Sequence, residues 1–214
     1  MPILILASAS PRRRELLAQA GYEFQVRPAH VNEDPRPGED AIAYVVRLAR
    51  EKAEFVYGQQ RSDGTDHGTK SSEPGRTETV NEASGFIVLG ADTTVELDGE
   101  ILGKPENADD AARMLRMLSG RTHRVITGVA VVTASGTQVA AEVTGVRFLT
   151  LSDEEIAAYV ASGEPMDKAG AYAIQGRAAR WIPRVTGCYF NVVGLPLALV
   201  STMLEVYAGL VPGR

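Results

Sequence analysis

The chain has 214 residues, of which 44% are hydrophobic and 23% are charged, and this composition is typical of a folded globular protein. Its formal net charge of -5 argues against a general nucleic-acid binder, since such proteins carry a basic surface for the phosphate backbone. The single cysteine, Cys188, excludes an intramolecular disulfide, and no run approaches the roughly 20 apolar residues of a membrane span. We therefore expect a cytoplasmic protein that binds neither nucleic acid nor a membrane. The negative net charge still permits a small anion as a ligand.

The first part of the chain predicts a strand, a tight loop and two helices. Residues 3–7 form a short apolar run typical of a buried strand, and Ser10 and Pro11 are typical of a helix N-terminus that Gly21 would close. Apolar residues at helical spacing predict a second helix over residues 39–57, ended by Gly58. Residues 58–84 are almost wholly polar and predict a mobile insertion in a single domain spanning residues 1–214.

The middle of the chain predicts strands separated by one helix. Residues 86–89 form a buried strand, and Asp92 would follow its carboxyl end. Residues 95–102 predict a hairpin around Asp98-Gly99, and residues 107–119 predict a helix. Two longer strands are expected over residues 123–133 and 137–149.

The last part predicts a helix, two strands and a final helix. Ser152 to Glu155 read as a capping box that opens a helix ending near residue 161. Strands are expected over residues 181–185 and 188–193, and a helix over residues 195–207. This order predicts an α/β fold in which a mixed, twisted sheet carries flanking helices and two lobes surround a cleft.

The loop between the first strand and helix is a candidate anion site. Free N–H groups and the positive end of the helix dipole would converge near Ser8 and Ser10. Successive helical residues point about 100° apart, so the arginines of the first turn cannot all face the loop. We favour Arg12 and place Arg13 second. The alternative is an ordinary capped helix whose arginines are solvated or pair with Glu15.

Two acids are candidates for metal binding or proton transfer. Asp92 follows a buried strand in Gly90-Ala91-Asp92-Thr93, where a carboxylate can bind Mg²⁺ or deprotonate a water. Glu33 lies in an acidic loop and could supply a second carboxylate. The alternatives are that Asp92 caps a turn and that Glu33 is a solvated loop acid.

Three further polar residues are candidates for substrate contacts. Lys52 and Lys104 could bind phosphates, and Lys104 lies in a rigid Gly-Lys-Pro turn. Gln175 could pair a donor and an acceptor with the polar edge of a base. Each of them could equally be a solvated side chain.

Taken together, these motifs resemble the Maf family of nucleotide pyrophosphatases over essentially the whole chain apart from the insertion. The residues that carry the resemblance are Leu6-Ala7-Ser8-Ala9-Ser10-Pro11-Arg12-Arg13, Leu48-Ala49-Arg50-Glu51-Lys52-Ala53, Gly90-Ala91-Asp92-Thr93, Gly103-Lys104-Pro105, Ser162-Gly163-Glu164-Pro165, Asp167-Lys168-Ala169-Gly170-Ala171-Tyr172, Ile174-Gln175-Gly176 and Val193-Gly194-Leu195-Pro196. The resemblance implies the Maf architecture, which is related to the inosine triphosphate pyrophosphatases, and a homodimer. The insertion is longer than the family normally has.

The resemblance also implies roles for individual residues. The proton acceptor falls on Asp92, the specificity positions fall on Arg12, Thr93 and Gln175, and further active-site charges fall on Glu33, Lys52 and Lys104. The base-facing motifs are similar to the branch that acts on dTTP and UTP. We expect Mg²⁺ or Mn²⁺, bound by Asp92 and Glu33, to assist attack of water on the α-phosphorus, giving the monophosphate and pyrophosphate.

Two alternatives remain open. One is the same chemistry on another nucleotide, such as a purine or a modified nucleotide. The other is a nucleotide-binding regulator of cell division in which hydrolysis is incidental.

Overall fold

The computed structural model describes residues 2–65, 85–207 and 210, and within them the chain forms one mixed sheet with flanking helices. The strands are β1 (Ile3–Leu6), β2 (Gln25–Val26), β3 (Phe86–Leu97), β4 (Glu100–Leu102), β5 (Thr122–Thr133), β6 (Gly136–Arg147) and β7 (Arg184–Thr186). The helices are α1 (Pro11–Gln19), α2 (Ala41–Thr65), α3 (Ala108–Leu118), α4 (Asp153–Ala161), α5 (Tyr189–Val193) and α6 (Leu197–Leu204). Short 3-10 helices span Glu164–Asp167, Ala169–Ala171 and Arg177–Trp181. The predicted α/β class is confirmed.

One edge of β3 has a break in its strand pairing. The sheet order is β2-β1-β3-β5-β6-β7, and β4 also pairs with β3. Since β5 pairs along one edge of β3, β1 and β4 share the other edge. The parallel pairing with β1 stops at Leu89, and the antiparallel pairing with β4 starts at Val95. Residues 90–94 of β3 therefore face a gap between β1 and β4.

The two faces of the sheet are covered differently. One face packs on α2, through a cluster that includes Val88, Ala130 and Ala49. At one end of the opposite face, α1, α5 and α6 pack on residues such as Leu89. At its other end, α3 and α4 pack on residues such as Leu97. These two clusters form the cores of two lobes, which the long strands β3 and β5 connect. The first lobe carries α1, α5 and α6, and the second lobe carries α3 and α4.

Two glycines let the backbone of α2 approach the sheet closely. A Cβ atom added to Gly90 would lie 2.2 Å from the carbonyl oxygen of Ala49, and one added to Gly128 would lie 2.3 Å from that of Val45. Neither distance is tolerable for a carbon atom, so any other residue would push α2 away from the sheet. Gly90 and Asp92 point to the same face because strand side chains alternate. The close approach therefore also sets the position of α2 relative to Asp92.

Helix α2 is longer than the sequence pattern predicts. The expected end at Gly58 is wrong, because α2 continues to Thr65. A glycine inside a helix costs only about 1 kcal/mol relative to alanine, so it does not compel termination. The Ser62 hydroxyl donates a hydrogen bond to the Gly58 carbonyl oxygen at 3.1 Å, as in a continuing helix. The remainder of the expected insertion, residues 66–84, lies outside the described residues.

The expected position of Asp92 after the end of a strand is also wrong. Strand β3 runs on from Leu89 to Leu97, so Asp92 lies in its middle. Pairing with β5 continues from Val88 to Glu96 and carries the strand through the polar residues. The opening beside Asp92 comes from the break between β1 and β4, which no local pattern reveals.

The segment around Cys188 differs from its predicted form too. Residues 189–193 form α5 instead of a strand, and Trp181 ends a 3-10 helix. The valines of this segment favour a strand, but the side-chain amide of Asn191 donates to the Val125 carbonyl oxygen and to the Thr144 hydroxyl, at 2.9 Å each. These tertiary bonds dock α5 on the sheet. No helix among the described residues has the length and apolar character needed to cross a membrane.

The close contact at Gly128 predicts a stability effect. Gly128→Ala is expected to lower the free energy of unfolding by about 1 to 3 kcal/mol or more, because the new Cβ displaces α2. Gly145→Ala in β6 is the matched control, since its Cβ would meet nothing closer than 3.8 Å. Urea unfolding of both variants measures the difference. Equal losses would contradict the close-approach argument.

Candidate active site

A cleft of about 470 Å³ opens at the gap between β1 and β4. The ten residues singled out from the sequence as candidate site residues all line it: Ser8, Ser10, Arg12, Arg13, Glu33, Lys52, Asp92, Thr93, Lys104 and Gln175. The lining carries five basic and three acidic side chains, although the whole chain has a net charge of -5. The cleft is therefore a local positive region in an acidic protein.

The centre of the cleft is a cluster of three charges, two of which are buried. The Lys52 Nζ atom lies 2.6 Å from Asp92 Oδ1 and 2.6 Å from Glu33 Oε1. Asp92 is 8% exposed and Lys52 is 7% exposed, whereas the Glu33 side chain is about half exposed. A buried carboxylate needs a partner of opposite charge, and Lys52 supplies it.

The two carboxylates have pKa values shifted in opposite directions. Burial raises the pKa of Asp92 above its ordinary value, even though the charges of Lys52 and Arg13 act to lower it. For Glu33, desolvation acts to raise the pKa, but the hydrogen bond and charge of Lys52, with the charge of Lys104, outweigh it and lower the pKa. Asp92 is consequently the better proton acceptor of the pair, and Glu33 remains charged.

Helix α2 positions this charge cluster. Tyr44 and Lys52 are eight residues apart and share the face of α2 that includes Leu48. The Tyr44 hydroxyl donates to the backbone carbonyl oxygen of Glu33 at 2.8 Å, which holds the acidic loop beside the helix. Burial, followed by the charges of Asp92 and Glu33, raises the pKa of Tyr44 to about 12, so it stays a neutral donor.

The N-terminal turn of α1 forms one wall of the cleft. The Ser10 side chain caps the helix by accepting from the Arg13 N–H group at 3.5 Å, and the Ser8 hydroxyl accepts from the Ser10 N–H group at 3.2 Å. Arg12 lies 4.0 Å from Asp167, with about a third of its side chain exposed. Arg14 is exposed and does not line the cleft, so the expected divergence of the three arginines is observed.

Arg13 and Thr93 belong to a network of connected hydrogen bonds. The Arg13 guanidinium donates to the Gly194 carbonyl oxygen at 2.8 Å and to the Thr93 hydroxyl at 2.9 Å. The Thr127 hydroxyl lies 2.9 Å from the Thr93 hydroxyl and 3.1 Å from the Asn191 carbonyl oxygen, within hydrogen-bond distance of both. This hydrogen-bond network connects α1, β3, β5 and α5, and it fixes the Thr93 hydroxyl at the cleft surface.

The opposite wall comes from the second lobe. Lys104 follows β4, and within the described residues it forms no ion pair. Lys168 pairs with Asp167, and both residues line the cleft. Gln175 is exposed at the rim.

Sequence reasoning did not select five charged or polar residues that line the cleft, namely Tyr44, Thr94, Asp167, Lys168 and Tyr172. Asp167 and Lys168 stand in a motif that carried the family resemblance, and this was the available signal. Tyr44 could have been found from its helical spacing to Lys52.

A buried aromatic cluster supports the wall behind Gln175. Tyr172 lines the cleft, and its hydroxyl lies 2.8 Å from His123 Nε2. Phe148 packs edge to face on both rings. His123 is 1% exposed, and burial lowers its pKa to about 4, so the imidazole is neutral at pH 7.

The charge cluster suits a divalent cation that is shared with a substrate. Within residues 2–65, 85–207 and 210, no group of three or more His, Cys, Asp and Glu side chains could hold a metal by itself. Two carboxylates nevertheless converge on one cationic group, Lys52. Mg²⁺ is commonly bound by one or two carboxylates together with waters and substrate phosphates, so Asp92 and Glu33 fit that mode of binding.

The fold and the cleft define an α/β protein with a buried acid and a positively charged pocket for an anionic ligand. A family model, Maf-like protein, matches residues 3–207, and the chain belongs to that family.

Relatives of this chain carry a more specific name. The dTTP/UTP pyrophosphatase of Hahella chejuensis is 47% identical over 95% of this chain and 92% of its own length. The protein of the same name from Koribacter versatilis is 48% identical over 94% of this chain and 93% of its own length. That from Chromobacterium violaceum is 48% identical over 95% of this chain and 94% of its own length. The solved Ham1 protein of Staphylococcus aureus covers 96% of this chain and 99% of its own at 12% identity and a TM-score of 0.42, a likeness too remote to carry an argument.

The buried imidazole predicts a pH-dependent stability. Between pH 4 and 6.5 the unfolded chain protonates His123 and the folded chain does not, so the stabilisation is fully present above pH 6.5 and declines as the pH falls toward 4. His123→Gln removes this titration. The free energy of unfolding should therefore fall by about 2 to 3 kcal/mol less in the variant than in the parent when the pH is lowered from 7.5 to 4.5. Chemical denaturation at both pH values measures it. An unchanged loss would mean that His123 is protonated in the folded protein.

Proposed function

We propose that this protein is a nucleoside triphosphate pyrophosphatase that hydrolyses dTTP and UTP to the monophosphate and pyrophosphate. The observation that carries the proposal is the convergence of Asp92 and Glu33 on Lys52 inside a cleft whose remaining charges are mostly basic. The names of relatives that are 46 to 48% identical support the choice of substrates.

In the proposed reaction, Asp92 takes a proton from a water molecule as the water oxygen bonds to the α-phosphorus. The bond between that phosphorus and the bridging oxygen breaks, and pyrophosphate leaves with the electron pair. The raised pKa of Asp92 supports this role, because a more basic carboxylate accepts a proton more readily. Its neighbour Lys52 keeps it oriented through the contact at 2.6 Å.

The basic residues of both walls would stabilise the charge on the leaving group. Arg12 and the first turn of α1 face the cleft from one side, and Lys104 and Lys168 face it from the other. Fixed cations and helix N–H groups lower the barrier to phosphoryl transfer mainly by electrostatic stabilisation and positioning. Ser8 and Ser10 order the turn that presents these N–H groups.

Asp92 and Glu33 are the residues that would hold a divalent cation, Mg²⁺ or Mn²⁺. When bound, it would neutralise phosphate charge and polarise the reacting phosphoryl group. The lowered pKa of Glu33 supports its part, since a metal ligand must be ionised.

Base selection is proposed to involve Gln175 at the rim, together with Arg12 and Thr93. A primary amide presents one acceptor and two donors, which can match the carbonyl and N–H edge shared by uracil and thymine. The hydrogen bonds with Arg13 and Thr127 fix the Thr93 hydroxyl, which is therefore a rigid contact point.

We also propose a single catalytic domain that works as a homodimer in the cytoplasm. The single family match over residues 3–207 supports the single domain, and the family resemblance supports the dimer. No observation favours the cell-division regulator over the enzyme. Tight nucleotide binding without turnover would be needed to favour the regulator over the enzyme.

Asp92→Asn tests the proton acceptor. The substitution keeps the shape and leaves Lys52 its contact with Glu33, so folding should persist while kcat falls by about 10² to 10⁴-fold. Asp98→Asn, the same change at an exposed hairpin position outside the cleft, is the control and should keep full activity. Pyrophosphate release from dTTP, UTP, CTP, ATP and GTP is the measurement. Undiminished turnover in Asp92→Asn would remove the assigned base, and no release by the parent from any nucleotide would remove the proposed function.

Metal removal and Glu33→Gln test the cation. Chelation by EDTA should abolish pyrophosphate release, and added Mg²⁺ or Mn²⁺ should restore it. Glu33→Gln should require about tenfold more Mg²⁺ for half-maximal activity, since one charged ligand is lost. Glu23→Gln, at an exposed position outside the cleft, is the control. Full activity in EDTA would contradict a metal-assisted reaction, and an unchanged Mg²⁺ requirement in Glu33→Gln would contradict its role as a ligand.

A further inference from the structure

Two side chains outside the charge cluster fasten the cleft segment that carries Gln175. The Ala173 N–H group donates to the Tyr159 hydroxyl oxygen at 3.2 Å, and the Tyr159 hydroxyl donates to Glu164 Oε1 at 2.9 Å. The same oxygen accepts from the Arg177 N–H group at 3.0 Å. Gln175 is thus held two residues before and two residues after its own position.

The clamp, defined here as Tyr159 and Glu164, lies on α4 and on the 3-10 helix that follows it. Tyr159 is buried on α4, where its ring packs edge to face against Trp181. Burial raises the pKa of its hydroxyl, which therefore remains a neutral donor at all ordinary pH values. Glu164 opens the 3-10 helix that follows α4.

Gly176 leaves room for the clamp. A Cβ atom added at this position would lie 1.9 Å from Glu164 Oε1. The carboxylate is the end of a flexible side chain, so alanine at position 176 would displace it at little cost to the rest of the fold. The backbone of Gly176 has φ -102°, which alanine also adopts.

We propose that Tyr159 and Glu164 are positioning residues for base selection, which hold the segment 173–177 so that Gln175 meets the polar edge of the nucleotide base. This inference rests on the proposed function. It assigns selectivity to two residues that need not touch the substrate. Neither residue lines the cleft.

The first test compares UTP with CTP, which differ only at the polar edge of the base. Tyr159→Phe, Glu164→Ala and Gly176→Ala should each lower the ratio of kcat/KM for UTP to that for CTP by about tenfold, the effect of losing one oriented hydrogen bond. Glu164→Gln should keep the ratio, since its amide oxygen accepts both hydrogen bonds. Ser152→Ala removes a hydroxyl from the N-cap of the same helix α4 and is the control for a general loss of stability.

The second test asks whether the effect passes through Gln175. In a Gln175→Ala background, Tyr159→Phe should change the UTP to CTP ratio no further, because the side chain that it positions is gone. A further tenfold drop in the double variant would overturn the inference. So would an unchanged ratio in all three clamp variants.

Backbone hydrogen exchange separates failure of the clamp from failure of the proposed function. Exchange at Ala173 in Tyr159→Phe and at Arg177 in Glu164→Ala should be about tenfold faster than in the parent, and unchanged in Ser152→Ala. Unchanged exchange in both clamp variants would overturn the inference even in an active enzyme. If the parent does not prefer UTP to CTP, the proposed substrate choice is wrong, and so is the selectivity role assigned to the clamp. The exchange rates still show in that case whether Tyr159 and Glu164 hold the segment.

Discussion

The burial of Asp92 beside Lys52 is the interaction on which the rest of the site depends. A carboxylate in the middle of a packed sheet is tolerated only with a cation at hydrogen-bond distance, and removing one partner of such a buried pair typically costs about 3 to 5 kcal/mol. Helix α2 delivers that cation because Gly90 and Gly128 let its backbone lie against β3 and β5. Through Tyr44, the same helix also holds the loop that carries Glu33.

A second constraint is the interrupted edge of β3. Parallel β1 stops at Leu89 and antiparallel β4 begins at Val95, so the sheet opens beside Asp92 and Thr93. The neighbouring side chains point to opposite faces of the strand. Asp92 meets the charges of α2, and Thr93 meets the hydrogen-bond network of Arg13. Because of this one break in pairing, the carboxylate of Asp92 and the hydrogen-bonded hydroxyl of Thr93 both line the cleft.

The two lobes divide the proposed work. Strand β3 and helix α2 supply Asp92 and Lys52, and the first lobe supplies the N-terminus of α1. The second lobe supplies Lys104, Lys168 and Gln175 from turns and bends, and the last two lie next to 3-10 helices. Turns without a continuous hydrogen-bond ladder need side chains to fix them, and here Tyr159, Glu164 and His123 provide those contacts.

The sequence by itself determined the local features of this protein. The caps at Ser10 and Ser152 and the turn at Asp98-Gly99 occur where predicted, because their causes lie within a few residues. All ten candidate site residues line one cleft. The motifs predicted this shared site, whereas the spacing of the residues along the chain could not have predicted it. Only the tertiary structure decided that β3 runs through Asp92, that residues 189–193 are helical and that Tyr159 and Glu164 hold the segment around Gln175. The first two depend on hydrogen bonds between elements far apart in the chain, and the third on side-chain bonds across turns and 3-10 helices. Local propensity carries no information about such partners.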